Sequence, residues 1–180
     1  MRIFVAIEIT NNDIINSIKE FQENVNIDAK PVELKNLHFT LQFLGEISEE
    51  IAQKIIESLK TIEFSSFDVN LKEIGAFPKP KSPRVVWIGT DEVGGNMLIH
   101  LSKKVEKVLE PLGFFSDKPF KPHITVFRIK KKIGDISGEL KSHKMINFGI
   151  QKVSNIKLKK SMLTTSGPIY SDLMEVNAKK

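Results

Sequence analysis

Two short strings set the strongest limit on what this chain can fold into. His38-Phe39-Thr40-Leu41 and His123-Ile124-Thr125-Val126 share the order histidine, apolar, threonine, apolar. Side chains two apart on a β-strand share a face, so each string presents an imidazole and a hydroxyl together and packs the residue between them behind. If the two strands neighbour each other in one sheet, both pairs line a single groove. Threonine occupies 7 of 180 positions, so two of the four histidines acquiring one at the second position by chance has a probability of roughly 1%. The repeat therefore carries information.

The rest of the chain supplies strands and helices to build such a sheet. Arg2 to Ile9 is β-branched and apolar, a buried strand, and Thr10, Asn11, Asn12 and Asp13 offer N-caps to a helix with Ile14, Ile15, Ile18, Phe21 and Val25 at helical spacing. Lys30-Pro31 interrupts it. A second strand fits Leu37 to Leu44. A second helix opens at Ser48 with Ile51, Ile55 and Leu59 on one face. Phe67, Val69 and Leu71 alternate with polar residues as a half-exposed strand does, and Phe77 to Pro83 is a stiff basic loop before a strand at Arg84 to Gly89. Gly94 and Gly95 precede a long helix with Leu98, Leu101, Val105, Val108 and Leu109 on its stripe, without the third glycine of a nucleotide-binding loop. A strand at Pro122 to Ile129, a short helix around Ser137 to His143 and three strands near Met145 to Val153, Ile156 to Leu163 and Tyr170 to Val176 complete the chain. The mixture lacks regular alternation, which predicts an α+β fold with largely antiparallel pairing in one domain over residues 1–180.

Composition narrows the chemistry. Without cysteine there is no thiolate nucleophile, disulfide or sulfur-ligated metal. Met1 to Ile9 is too short and too charged for a signal peptide or membrane span, so a cytoplasmic protein with no membrane partner is the expectation. The net charge of +5 favours a polyanionic partner. Of 27 Lys and Arg residues only Arg2, Arg84 and Arg128 are arginine. A guanidinium fork matches phosphate oxygens as an ammonium does not, which marks Arg84 and Arg128 as candidate phosphate ligands.

Two imidazoles suit phosphoryl chemistry without a metal. One takes a proton from water while the other gives one to the departing oxygen, and Thr40 and Thr125 donate to the non-bridging oxygens. Zinc is the competing use of paired histidines, but no third histidine or cysteine stands at ligand spacing. Neither metal nor cofactor is expected. His100 and His143 lack the threonine context and read as ordinary residues.

These residues stand in surrounds that resemble a known family. "LHFTLQFLGE" at Leu37 to Glu46, "GAFPKPKSPRVVWIG" at Gly75 to Gly89, "KPHITVFR" at Lys121 to Arg128 and "SGPIY" at Ser166 to Tyr170 are similar to segments of the RNA 2′,3′-cyclic phosphodiesterases, also called 2′-5′ RNA ligases, of the 2H phosphoesterase superfamily. The resemblance runs from Phe4 to Leu173. It implies a bilobed fold whose pseudo-symmetric halves meet at a groove floored by both HxTx strands. It also implies that a terminal 2′,3′-cyclic phosphate is opened to a 2′-phosphate, with His38 protonating the leaving 3′-oxygen, His123 activating water, and Thr40 and Thr125 holding the phosphoryl group. A 5′-hydroxyl RNA end in place of water would form a 2′-5′ linkage without ATP. The implied partner is RNA with a cyclic-phosphate end, such as a tRNA fragment, bound by a monomer.

Three substrate-binding candidates follow the family pattern. Arg128 matches the arginine of HxTxxR, yet strict alternation puts it on the face opposite His123, so either the strand bulges or ends before it or Arg128 acts from the rim. Arg84 matches as well. Phe43 matches too, but alternation from His38 predicts that it faces the core rather than a base. Lys130 to Lys132 and the lysines of the 79–81 loop could guide an RNA backbone. A small-molecule cyclic phosphodiesterase and a non-catalytic RNA-end-binding module remain the alternatives.

Overall fold

The computed structural model describes residues 1–180. Nine strands form one sheet: β1 (Arg2–Glu8), β2 (Lys30–Pro31), β3 (His38–Glu46), β4 (Phe67–Phe77), β5 (Val85–Thr90), β6 (Ile124–Arg128), β7 (Asn147–Val153), β8 (Asn155–Thr164) and β9 (Gly167–Asn177). Their order is β7-β4-β5-β6-β3-β1-β8-β9, every neighbour is antiparallel, and β2 attaches to β6. The α+β reading with antiparallel pairing matches this architecture.

The helices are α1 (Asn12–Asn24), α2 (Glu49–Leu59), α3 (Glu92–Leu109) and the short α4 (Ser137–Ser142). Asn11, Ser48 and Asp91 cap the first three, each accepting from a backbone N–H of the first turn. Asp91 also accepts from the Asn70 N–H, which ties the start of α3 to β4. Gly94 permits that approach, since a Cβ there would lie 2.8 Å from the Cα of Val69. Helix α1 lies against β7 and β6, and α3 against β4 and β3. Ile14, Ile18, Phe21, Leu98, Leu101 and Val105 thus bury the same sheet face as Phe39, Leu41, Ile124 and Val126. The opposite face of the central strands is left for the histidines and threonines.

The path divides into β7-β4-β5-β6 and β3-β1-β8-β9, and β6 meets β3 through a single residue pair, Phe39 with Ile124. Each half repeats a strand, a helix and an inner strand, as β1-α1-β3 and β5-α3-β6. Both inner strands bulge just past their threonine. Ala6 pairs with Thr40 and Val5 with Gln42, which leaves Leu41 as an extra residue in β3. Trp87 pairs with Thr125 and Val86 with Phe127, which leaves Val126 as an extra residue in β6. A bulge reverses the facing of every later residue on its strand.

Both reversals have visible results. Leu41 and Gln42 are buried in succession, and Phe43 emerges 53% exposed, with the Arg2 guanidinium 5.0 Å from its ring centre. The expectation of a core-facing Phe43 is corrected by the bulge. Val126 and Phe127 are likewise buried in succession, and Arg128 returns to the face of His123 and Thr125. Of the possibilities open for Arg128, the bulge is the one realised.

The β6 bulge has its own support. The Val126 carbonyl accepts from the Val32 N–H at 2.9 Å and from Gln22 Nε2 of α1 at 3.0 Å, and Gln22 also donates to the Val32 carbonyl at 3.0 Å. Gln22→Leu removes two hydrogen bonds to backbone carbonyls, so it should cost about 1–3 kcal/mol, read as a lower urea midpoint at unchanged m.

Candidate active site

The Phe39–Ile124 pair is the pivot of the site. Extending that antiparallel register by one residue each way sets His38 opposite Thr125 and Thr40 opposite His123. The two imidazoles are then diagonal neighbours across that pair and open on one cleft. His38, Thr40, His123, Thr125 and Arg128 all line one cleft. Arg84 does not: its backbone is fixed between Phe77 and Ile129, at 2.7 and 2.9 Å, and its exposed side chain lies outside the cleft. Phe43 also lies outside it. His100 is exposed on α3, and His143 is held by the Glu139 carbonyl and the Phe21 ring, away from the cleft.

Both catalytic candidates are fixed in the same manner. His38 Nδ1 lies 2.7 Å from the Asn36 carbonyl and His123 Nδ1 lies 2.6 Å from the Lys121 carbonyl, in each case two residues upstream. A carbonyl can only accept, so Nδ1 carries the proton in each ring and Nε2 is the exchangeable nitrogen. Thr40 Oγ1, 3.0 Å away, donates to Nε2 of neutral His38. An aromatic ring stands perpendicular to each imidazole, Tyr170 to His38 with centres 5.5 Å apart and Phe77 to His123 at 5.1 Å.

The electrostatics favour neutral rings while the cleft is empty. Burial pushes His38 down to about 4, with Lys159 and Arg128 adding to the depression and the Asn36 carbonyl and Glu8 opposing it. Burial and Arg128 also lower His123. A phosphate anion bound between the rings would oppose this depression, because it would offset Arg128 and favour a proton on either imidazole.

Several residues of this site were not singled out from sequence. Tyr170 lines the cleft, and burial raises its phenol above the ordinary range. Asn36 supports His38 through its carbonyl, and its side-chain amide donates to the Pro168 carbonyl at 3.3 Å. Behind His38, Glu8 is its cross-strand partner and meets Lys159, which is only 6% exposed and also donates to Asp172 at 2.6 Å. Lys157 completes the quartet, 3.0 Å from Glu8 and 2.7 Å from Asp172. Burial alone would raise Glu8, but the two lysines outweigh it and hold the carboxyl below its usual range. Alternation from "SGPIY" could have flagged Tyr170, since it shares a face with Pro168; no local signal marks the quartet. No three His, Cys, Asp or Glu side chains gather at metal-binding range.

Comparison with known proteins bears on this geometry. The sequence profile described as "LigT like Phosphoesterase" matches residues 7–87. The chain is similar to the RNA 2′,3′-cyclic phosphodiesterase of Archaeoglobus fulgidus, 41% identical over 175 residues that cover 96% of this chain and 98% of the relative. It is similar to the protein of that name from Methanocaldococcus jannaschii, 38% identical over 181 residues covering 97% and 99%. In three dimensions it resembles E. coli LigT complexed with 3′-AMP, with a TM-score of 0.80, 25% identity and coverage of 99% and 98%.

The depressed His38 makes stability depend on pH. Unfolded histidine takes up its proton near 6.5, whereas His38 in the fold does so only near 4, so the stabilisation is complete above 6.5 and is lost as pH falls through that window. It amounts to about 3 kcal/mol. Urea unfolding of His38→Gln between pH 7 and 4 should show a flatter loss of stability than the wild type, and an equal slope would contradict the assignment.

Proposed function

The chain belongs to the LigT-like phosphoesterase family, and from that premise we propose that it hydrolyses RNA 2′,3′-cyclic phosphate ends, with His38 and His123 on opposite sides of the phosphorus. The observation that carries the reading is the diagonal placement of two Nε2-reactive imidazoles across one backbone pair, with both threonines and Arg128 on the same face.

Water enters on the side of His123, whose Nε2 accepts a proton as the oxygen attacks phosphorus. The bond from phosphorus to the 3′-oxygen breaks, and His38 Nε2 delivers its proton to that oxygen, which leaves a 2′-monophosphate and a 3′-hydroxyl. Thr40 and Thr125 donate to the non-bridging oxygens as charge grows there, and the Arg128 fork adds positive charge. Once His38 is protonated, Thr40 no longer donates to Nε2 and its hydrogen is free for a phosphoryl oxygen. The same path with a 5′-hydroxyl RNA end in place of water, the 3′-oxygen again leaving with the proton from His38, gives a 2′-5′ linkage without ATP. The names of the relatives support an RNA end as substrate, and we place the work on cytosolic RNA fragments, tRNA fragments among them.

His38→Ala and His123→Ala should each lower kcat on a 2′,3′-cyclic-phosphate oligonucleotide by about 10²–10⁴-fold, EDTA should have no effect, and chromatography should find a 2′-monoester. Turnover retained in either variant, or a 3′-monoester, sinks the proposal. The kcat/KM profile reports the free enzyme, in which both imidazoles are depressed, so its bell should be centred below pH 6.5. The kcat profile, which reports the bound state, should lie at higher pH; coincident profiles would remove the role given to the phosphate anion.

A further inference from the structure

The two ends of the cleft differ in what their cations are doing. Beyond Tyr170 and Asn36 the surface reaches Lys159 and Lys35. Lys159 is held between Glu8 and Asp172, and Lys35 Nζ lies 3.0 Å from a Glu33 carboxylate oxygen. Both cations that line that end are thus paired.

The other end continues past Arg128 into a depression lined by Lys30, Lys130 and Lys131, with Asp28 its one acid. Of these cations none has a carboxylate within 4.0 Å. Lys30 and Arg128 are directly opposed in the β2–β6 pairing. Like charges so placed repel, and no carboxylate is paired with either of them. Lys30 is also fixed by a 2.6 Å hydrogen bond to the Ser166 carbonyl at the β8–β9 turn. An ammonium and a guanidinium held side by side without a paired carboxylate suit a phosphate ligand.

We propose that Lys30, Lys130 and Lys131, next to Arg128, form a second phosphate subsite, which binds the phosphodiester on the 5′ side of the terminal nucleotide and so favours an RNA chain over a free cyclic nucleotide. The inference rests on the reading of the cleft as an RNA-end site. With the cyclic phosphate between the imidazoles, the only other phosphate attached to the terminal ribose is the one at its 5′-oxygen. Lys30, Arg128 and Lys130 line both the cleft and the depression, so one strand can run from one into the other without a gap. The paired charges at the opposite end leave it no equivalent route.

Binding of adenosine 2′-monophosphate and adenosine 2′,5′-bisphosphate to the full chain, measured by calorimetry at several salt concentrations, tests this. The bisphosphate should bind the wild type about tenfold more tightly, with a log–log salt slope steeper by about 0.7–1. Lys131→Ala should shrink that gain and Lys131→Glu should abolish it. Equal wild-type affinities would overturn the subsite, as would variants that weaken both ligands by the same factor. A preference for the bisphosphate in a protein that turns over no cyclic phosphate would reject the catalytic reading while leaving the subsite standing. Failure of both nucleotides to bind would end both.

Discussion

One backbone pair, Phe39 with Ile124, joins β3 to β6, and the site depends on it. Because the pairing is antiparallel, it relates the two HxTx strings by a local two-fold axis. Each histidine therefore faces the other string's threonine, and the imidazoles are diagonal rather than adjacent. A longer run of pairing would flatten the junction. A single pair lets β3 and β6 diverge on both sides, and the cleft occupies that divergence. The buried residues on the far side, Phe39, Leu41, Ile124 and Val126, belong to one continuous core, so the junction is held by packing where hydrogen bonds are few.

The two-fold relation stops at the bulges' products. Leu41 and Val126 occupy equivalent positions, and so do Phe43 and Arg128. In one half the reversal exposes an aromatic ring next to Arg2; in the other it carries a guanidinium into the cleft. The surroundings of the histidines differ in the same way. His38 has a charged quartet behind it and is depressed to about 4, whereas His123 has Phe77 against it and no such quartet. Two similar strings thus present imidazoles in unlike environments.

The order of elements and the HxTx pairs were legible from sequence because both rest on local periodicity. What lay beyond it came from pairing partners distant along the chain. The facing of Arg128 and Phe43 depends on bulges specified by β5 and β1, and nothing in "HITVFR" or "HFTLQF" alone reveals an extra residue. Lys30-Pro31 reads as a break between elements, yet it forms a two-residue strand at the edge of β6, where the missing proline N–H costs nothing. Lys157 and Lys159 look like the wet face of an ordinary strand. They are partly or wholly buried because Glu8 and Asp172, on β1 and β9, close over them.

The place of β1 has a consequence for the order of assembly. Residues 2–6 pair on one side with β3 and on the other with β8, so β1 lies between a strand close to it in sequence and one some 150 residues further on. Until residues 157–161 leave the ribosome, one edge of β1 stays open and Glu8 waits without its lysines. The β4-β5-β6 meander can close while that edge is still bare. Such long-range pairing slows folding and leaves an apolar strand exposed in the interval. The β8–β9 hairpin, which completes the charge network behind His38, is then also the one that finishes the site.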